Sequence, residues 1–107
     1  MNNHILDQVF ETIESRKEAS ADESYVASLF LKGREKIAEK VGEETIETII
    51  EAIKNDKNKL AEESADLLFH LMILWSDANL KPDDIFRILE KRNGLSGLTE
   101  KDNRKET

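Results

Sequence analysis

Glu43, Glu44 and Glu47 are followed, after fifteen intervening residues, by Glu63 and Asp66. In a helix, residues three or four apart share a face. Lys40, Glu44, Glu47 and Glu51 then form one stripe, and Glu63, Asp66, His70 and Asp77 form another. A short connection makes the two segments antiparallel neighbours and brings Glu47 toward Glu63 or Asp66. Carboxylates gathered in this way repel one another, and burial raises their pKa values. A divalent cation removes that difficulty. An all-oxygen donor set suits Mg²⁺, with Mn²⁺ as a substitute, and leaves waters for a phosphate to displace. The expected ligands are Glu44, Glu47, Glu63 and Asp66. Glu43 lies further round the helix and reads as an outer group, a base or a solvated charge. The competing reading is a solvated surface, because Glu is a good helix former and most helix charges face water. Asp66 resists it, since residues 65–75 are otherwise apolar nearly all round and a buried carboxylate is normally paired or metal-bound. A di-iron bundle needs Glu-x-x-His on two helices, and no such sequence occurs.

The elements that must position these groups read as four or five helices. One proline, four glycines and little strict alternation argue for an all-α domain. The spacing predicts a helix over 4–17 capped by Asn3, and a short one carrying Tyr25, Val26, Leu29 and Phe30 capped by Asp22 or Ser24. Gly33 ends or weakens that short helix. Long helices are predicted over 34–54 and 58–78, with a turn at 55–57, and a last helix opens at Pro82 and closes at Asn93-Gly94. The apolar middle of the fourth helix needs cover on several sides, more than a monomer of this size supplies, so a homodimer sharing it is expected. Gly42, inside a helix, reads as a place where substrate or another helix comes close, with packing the preferred account. A domain over 1–94 and a polar tail over 95–107 are expected.

Among 107 residues, 16 Lys and Arg stand against 23 Asp and Glu, a net charge of −7, which argues against tracking a nucleic-acid backbone. Without cysteine there is no disulfide or thiolate site. The first ten residues lack the pattern of a cleaved signal, and the apolar run at 67–75 is too short for a membrane span. A cytoplasmic, membrane-free domain is expected. Lys40 reads as a phosphate contact or as half of a surface pair with Glu44, and Lys36 and Arg34 as phosphate contacts or solvated charge. His70 reads as a substrate or carboxylate partner, or as a satisfied core histidine.

Several stretches together resemble the phosphoribosyl-ATP pyrophosphatases of histidine biosynthesis, relatives of the MazG-like all-α nucleotide pyrophosphatases. Residues 23–30 (Glu-Ser-Tyr-Val-Ala-Ser-Leu-Phe) with Gly33 look like that family's Ser-Tyr segment and glycine. Residues 40–44 (Lys-Val-Gly-Glu-Glu) look like its Lys-x-Gly-Glu-Glu core, and residues 63–70 resemble its Glu-x-Ala-Asp-Leu-x-Tyr-His segment. Residues 92–101 are similar to its C-terminal Ser-Gly and Glu-Lys run. The resemblance covers about 6–105 in one register. Phe69 departs from the family's tyrosine, and Trp75-Ser76 from a more aliphatic stretch. The stand-alone form of that family, without a preceding cyclohydrolase region, is expected.

The resemblance implies a MazG-like bundle, an intertwined homodimer, and Mg²⁺-dependent hydrolysis of phosphoribosyl-ATP to phosphoribosyl-AMP and pyrophosphate. It also moves Arg92, with Ser96-Gly97 and Lys101, from a polar tail toward a contact on the phosphoribosyl group. A house-cleaning nucleoside triphosphate pyrophosphatase shares the acidic motif without the flanking segments. A non-catalytic helical dimerisation module would leave both stripes as solvated surface.

Overall fold

The computed structural model describes residues 4–94, which fold into five helices with no strand among them. They are α1 (Ile5–Arg16), α2 (Tyr25–Lys32), α3 (Arg34–Lys54), α4 (Lys57–Asp77) and α5 (Pro82–Arg92). The expected all-α class is observed. The tail expected over 95–107 lies outside the described residues, as does Asn3.

Local chemistry sets the boundaries. His4 caps α1, its Nδ1 accepting from the Leu6 N–H at 3.1 Å, where the sequence had pointed to Asn3. Ser24 caps α2 by accepting from the Ala27 N–H at 3.1 Å. Gly33 then separates α2 from α3 at φ 100°, a conformation a side chain would strain, so two helices meet there at a corner. Asn55 closes α3 in the left-handed region at φ 60°, and Asp56 caps α4 through the Lys59 N–H at 3.1 Å. Pro82 occupies the first turn of α5, and the Asp84 carboxylate accepts from the Lys81 N–H at 2.8 Å.

The two-residue turn forces α3 and α4 into an antiparallel hairpin, packed along most of their length. At its open end the Arg34 guanidinium meets Asp77, Nε to Oδ2 at 2.7 Å and a second N–H to the Asp77 carbonyl at 2.9 Å. α1 packs on α4, α2 on α3, and α5 chiefly on α1. The core they close contains Phe10, Ile13, Val26, Leu29, Ile37, Met72 and Ile73, with Phe30, Phe69, Leu74 and Trp75 against it. A polar tie lies at its edge, where the buried Ser76 hydroxyl donates to the exposed Glu14 at 2.6 Å.

This core lies toward the open end of the hairpin, because Ile37 and Met72–Ile73 are its contributions from α3 and α4. The half nearer the turn has little cover. There Ile46, Ile49, Ile50 and Ile53 of α3 are exposed, Ile53 at 80%. The apolar middle of α4, expected to be the face most in need of a partner, is largely covered within the subunit, Leu68 being its exposed large side chain at 41%. The uncovered isoleucines are on α3 instead. Gly42 shares their side of the chain: a Cβ there would meet nothing within 4 Å, so packing inside the subunit does not account for it. Among the described residues no helix is long and apolar enough to cross a membrane.

Candidate metal centre

The carboxylates occupy the same sparsely covered half of the hairpin. Glu44 of α3 and Glu63 and Asp66 of α4 each place an oxygen so that the three lie within 4.8 Å of one another. The spacing that reads as two stripes in sequence therefore converges in space. Glu44 is 8% exposed, and no donor reaches its carboxylate. Glu63 Oε1 is shut away from solvent without a hydrogen-bond partner. Asp66, expected to be the buried member, is exposed, because α4 is covered by α1 and α3 and Asp66 points away from the core they make. Buried carboxylate oxygens without donors carry a desolvation cost that a cation would offset. An oxygen-only set of this kind fits a hard divalent ion and offers nothing to a soft one.

Glu63 registers the crowding electrostatically. Its pKa is raised, first by burial of the carboxyl and then by the charges of Glu47, Asp66, Glu44 and Glu51. Glu47 thus lies beside the cluster without entering the tight three-oxygen group. In metal-free protein the raised value means that the folded state takes up the Glu63 proton at higher pH than the unfolded state does. The resulting penalty is complete above the folded value and is relieved as pH falls through it. Glu63→Gln should therefore melt above the wild type in EDTA at neutral pH. The difference in melting temperature should shrink on acidification, as followed by circular dichroism across the pH series. A difference independent of pH would contradict the assignment.

The flanking cations are engaged. Lys40 Nζ lies 3.1 Å from Glu43 Oε1, pairing Glu43 outside the three-oxygen group. Lys36 Nζ lies 2.8 Å from Glu39, and Arg34 is held by Asp77. Arg34 is about 15 Å along α3 from Glu44 at 1.5 Å per residue. Arg92 ends α5, away from the hairpin half that bears the carboxylates.

His70 is buried one turn from Asp66. Its Nδ1 donates to the Asp66 carbonyl at 2.8 Å, since a carbonyl can only accept, and its Nε2 is hydrogen-bonded with the Tyr25 hydroxyl at 2.8 Å. This is the satisfied core histidine of the two readings. It also fixes Tyr25, half-exposed on α2, beside Lys40 and Glu44, whose charges act on the phenol; burial raises its pKa first. No spacing rule reveals this α2–α4 contact, and the Ser-Tyr resemblance was its only trace. Phe69 stands edge-on to His70 with ring centroids 5.5 Å apart, so the position filled by tyrosine in the family serves packing in this chain.

Comparison with known proteins agrees with this geometry. Residues 6–93 match the family model described as phosphoribosyl-ATP pyrophosphohydrolase. A phosphoribosyl-ATP pyrophosphatase of Azospirillum brasilense is 52% identical over 101 residues, covering 94% of this chain and 91% of that protein. One of Paramagnetospirillum magneticum is 44% identical over 103 residues, covering 96% and 94%. A third, of Ruegeria, is 50% identical over 97 residues, covering 91% and 92%. With nearly the whole chain matched in one register, and the carboxylates of the motif converging on one point, this chain belongs to the phosphoribosyl-ATP pyrophosphohydrolase family.

Proposed function

We propose that the chain hydrolyses phosphoribosyl-ATP to phosphoribosyl-AMP and pyrophosphate, a step of histidine biosynthesis, with Mg²⁺ held by Glu44, Glu47, Glu63 and Asp66. The observation that carries the reading is the convergence of the Glu44, Glu63 and Asp66 oxygens within 4.8 Å in a member of this family. When bound, Mg²⁺ supplies charge for the phosphate oxygens and acidity for a coordinated water, and Mn²⁺ can replace it.

The remaining chemistry falls to the side chains. The buried Glu44 and the half-buried Glu63 would hold the cation from rigid helices, and the exposed Asp66 leaves the site open on the side from which a triphosphate enters. Lys40, held by Glu43 at 3.1 Å, can exchange that partner for a phosphate oxygen. The exchange frees the Glu43 carboxylate to accept a proton from the attacking water. His70 holds the Tyr25 hydroxyl at the rim. Lys36, Arg34 and Arg92 are further candidates for the substrate's outer phosphates and sugar.

The working unit in this reading is a homodimer in the cytoplasm. Four exposed isoleucines on one helix make a patch that a free surface rarely carries. Gly42 costs a helix interior about 1 kcal/mol relative to alanine without a reason inside the subunit, as expected where a second copy or the substrate comes close. The radius of gyration, 16.0 Å, exceeds the roughly 13 Å of a compact chain of this length, as expected of half an assembly.

The test is product identity. With Mg²⁺ the purified protein should convert phosphoribosyl-ATP to phosphoribosyl-AMP and pyrophosphate in equal amounts, stop on addition of EDTA, and resume with excess Mg²⁺ or Mn²⁺. Release of inorganic phosphate with phosphoribosyl-ADP, or activity indifferent to chelation, would defeat the reading.

A further inference from the structure

Glu51 stands one turn beyond Glu47 on the stripe that carries Glu44. The hairpin's register is fixed at both ends, by Arg34 against Asp77 and by the turn at Asn55–Asp56. That register sets Glu51 against the start of α4, about one turn on the loop side of Glu63. Although α3 is poorly covered here, the Glu51 side chain is only 15% exposed. Its Oε1 is sealed from solvent and has no hydrogen-bond partner. The nearest cation, Lys54 Nζ, is 4.0 Å away, beyond hydrogen-bond reach, and extends into water with 61% of its side chain exposed. Among the described residues, the buried side-chain oxygens in this condition are Glu51 Oε1 and Glu63 Oε1.

A solvated surface glutamate does not bury an oxygen with no donor, because turning it outward costs little and regains hydration. Both orphaned oxygens belong to neighbouring turns of one hairpin, and the Glu51 charge acts on Glu63. We propose that Glu51 is a further cation-binding residue of this site, Glu51 Oε1 and Glu63 Oε1 together engaging a divalent cation at the edge of the carboxylate cluster nearest the α3–α4 turn. The inference rests on the metal-site reading above. It adds a ligand from outside the Glu-Glu-x-x-Glu and Glu-x-x-Asp pattern, one helical turn past it. The cation contact would give Glu51 Oε1 the close partner that Lys54, paired with it only at 4.0 Å, does not supply.

Mn²⁺ binding without substrate tests this, with free Mn²⁺ measured by electron paramagnetic resonance and melting temperature recorded in EDTA and in excess Mn²⁺. Glu51→Gln keeps the shape and Glu51→Ala keeps helix propensity, so at least one folded variant is expected. Each should melt in EDTA at or above the wild-type temperature, bind Mn²⁺ about tenfold or more weakly, and gain less stability from Mn²⁺. Glu44→Gln serves as the control. If Glu44→Gln loses Mn²⁺ affinity while both Glu51 variants keep it, the proposal is overturned and the metal site stands, Glu51 then holding a proton or a water. If wild-type protein binds no Mn²⁺, the metal-site reading falls and this inference with it.

Discussion

Replacing Glu44 by glutamine is expected to lower turnover of phosphoribosyl-ATP by about a hundredfold or more while leaving the protein folded. Even groups that only support metal ligands cost about 10–100-fold when removed, and Glu44 is placed as a ligand itself. The fold should survive because no hydrogen bond within the subunit depends on the carboxylate of the buried Glu44, and glutamine keeps its shape. In metal-free protein its charge is a liability beside Glu63 and Asp66, and an amide of the same shape relieves it. The change should therefore separate activity from stability: kcat for pyrophosphate release falls, and the melting temperature in EDTA holds or rises. Asp66→Asn should follow the same pattern with a smaller gain in stability, since Asp66 is exposed. Undiminished turnover in a folded Glu44→Gln protein would remove the metal centre from the mechanism.

The second large effect concerns assembly. Wild-type protein should sediment at about twice the 12.3 kDa chain mass, and the double variant Ile49→Glu/Ile53→Glu should sediment as a single chain. Both isoleucines lie on the exposed face of α3, and fully burying each contributes about 1.5–3 kcal/mol. Ile49 and Ile53 are 51% and 80% exposed, and only that share remains to be buried. Counted twice across a two-fold interface, the loss is about 4–8 kcal/mol, or roughly three orders of magnitude or more in dimer affinity. The core around Ile13, Ile37 and Ile73 is untouched, so helicity should persist in the isolated subunit. Analytical ultracentrifugation checks the outcome. A double variant that remains dimeric would move the interface to another face.

These expectations also show which features were legible in the sequence. Helix identity was, because capping and breaking residues act locally: Ser24, Gly33 and the Asn55–Asp56 turn do in space what their chemistry implies. Approach of the two acidic stripes was legible too, since a short turn leaves two long helices one arrangement. The spacing pointed to Glu47 beside Glu63 or Asp66, whereas the tight group takes Glu44 and leaves Glu47 beside it. Burial was less so. Asp66 looked buried because its neighbours in sequence are apolar, yet exposure depends on which helices cover α4, and they leave that side open. The uncovered apolar face was assigned to α4 for the same reason, whereas α1 and α3 cover α4 and the isoleucines of α3 stay bare. The Tyr25–His70 bond joins residues 45 positions apart on helices that make no hairpin, and nothing in either segment encodes the meeting. Glu51 lay on the acidic stripe from the start. Its buried, donorless oxygen is a fact of packing that only three dimensions supply.

The account turns on one claim, that this hairpin is built to release pyrophosphate from phosphoribosyl-ATP and not from triphosphates at large. The direct measurement is pyrophosphate release with Mg²⁺ at equal concentrations of phosphoribosyl-ATP, ATP, the other common NTPs and the dNTPs. Discrimination of this kind comes from contacts made to the group the competitors lack. The account predicts a kcat/KM for phosphoribosyl-ATP at least about a hundredfold above that for any of the others. Equal values across the panel, or no release from phosphoribosyl-ATP, would contradict it.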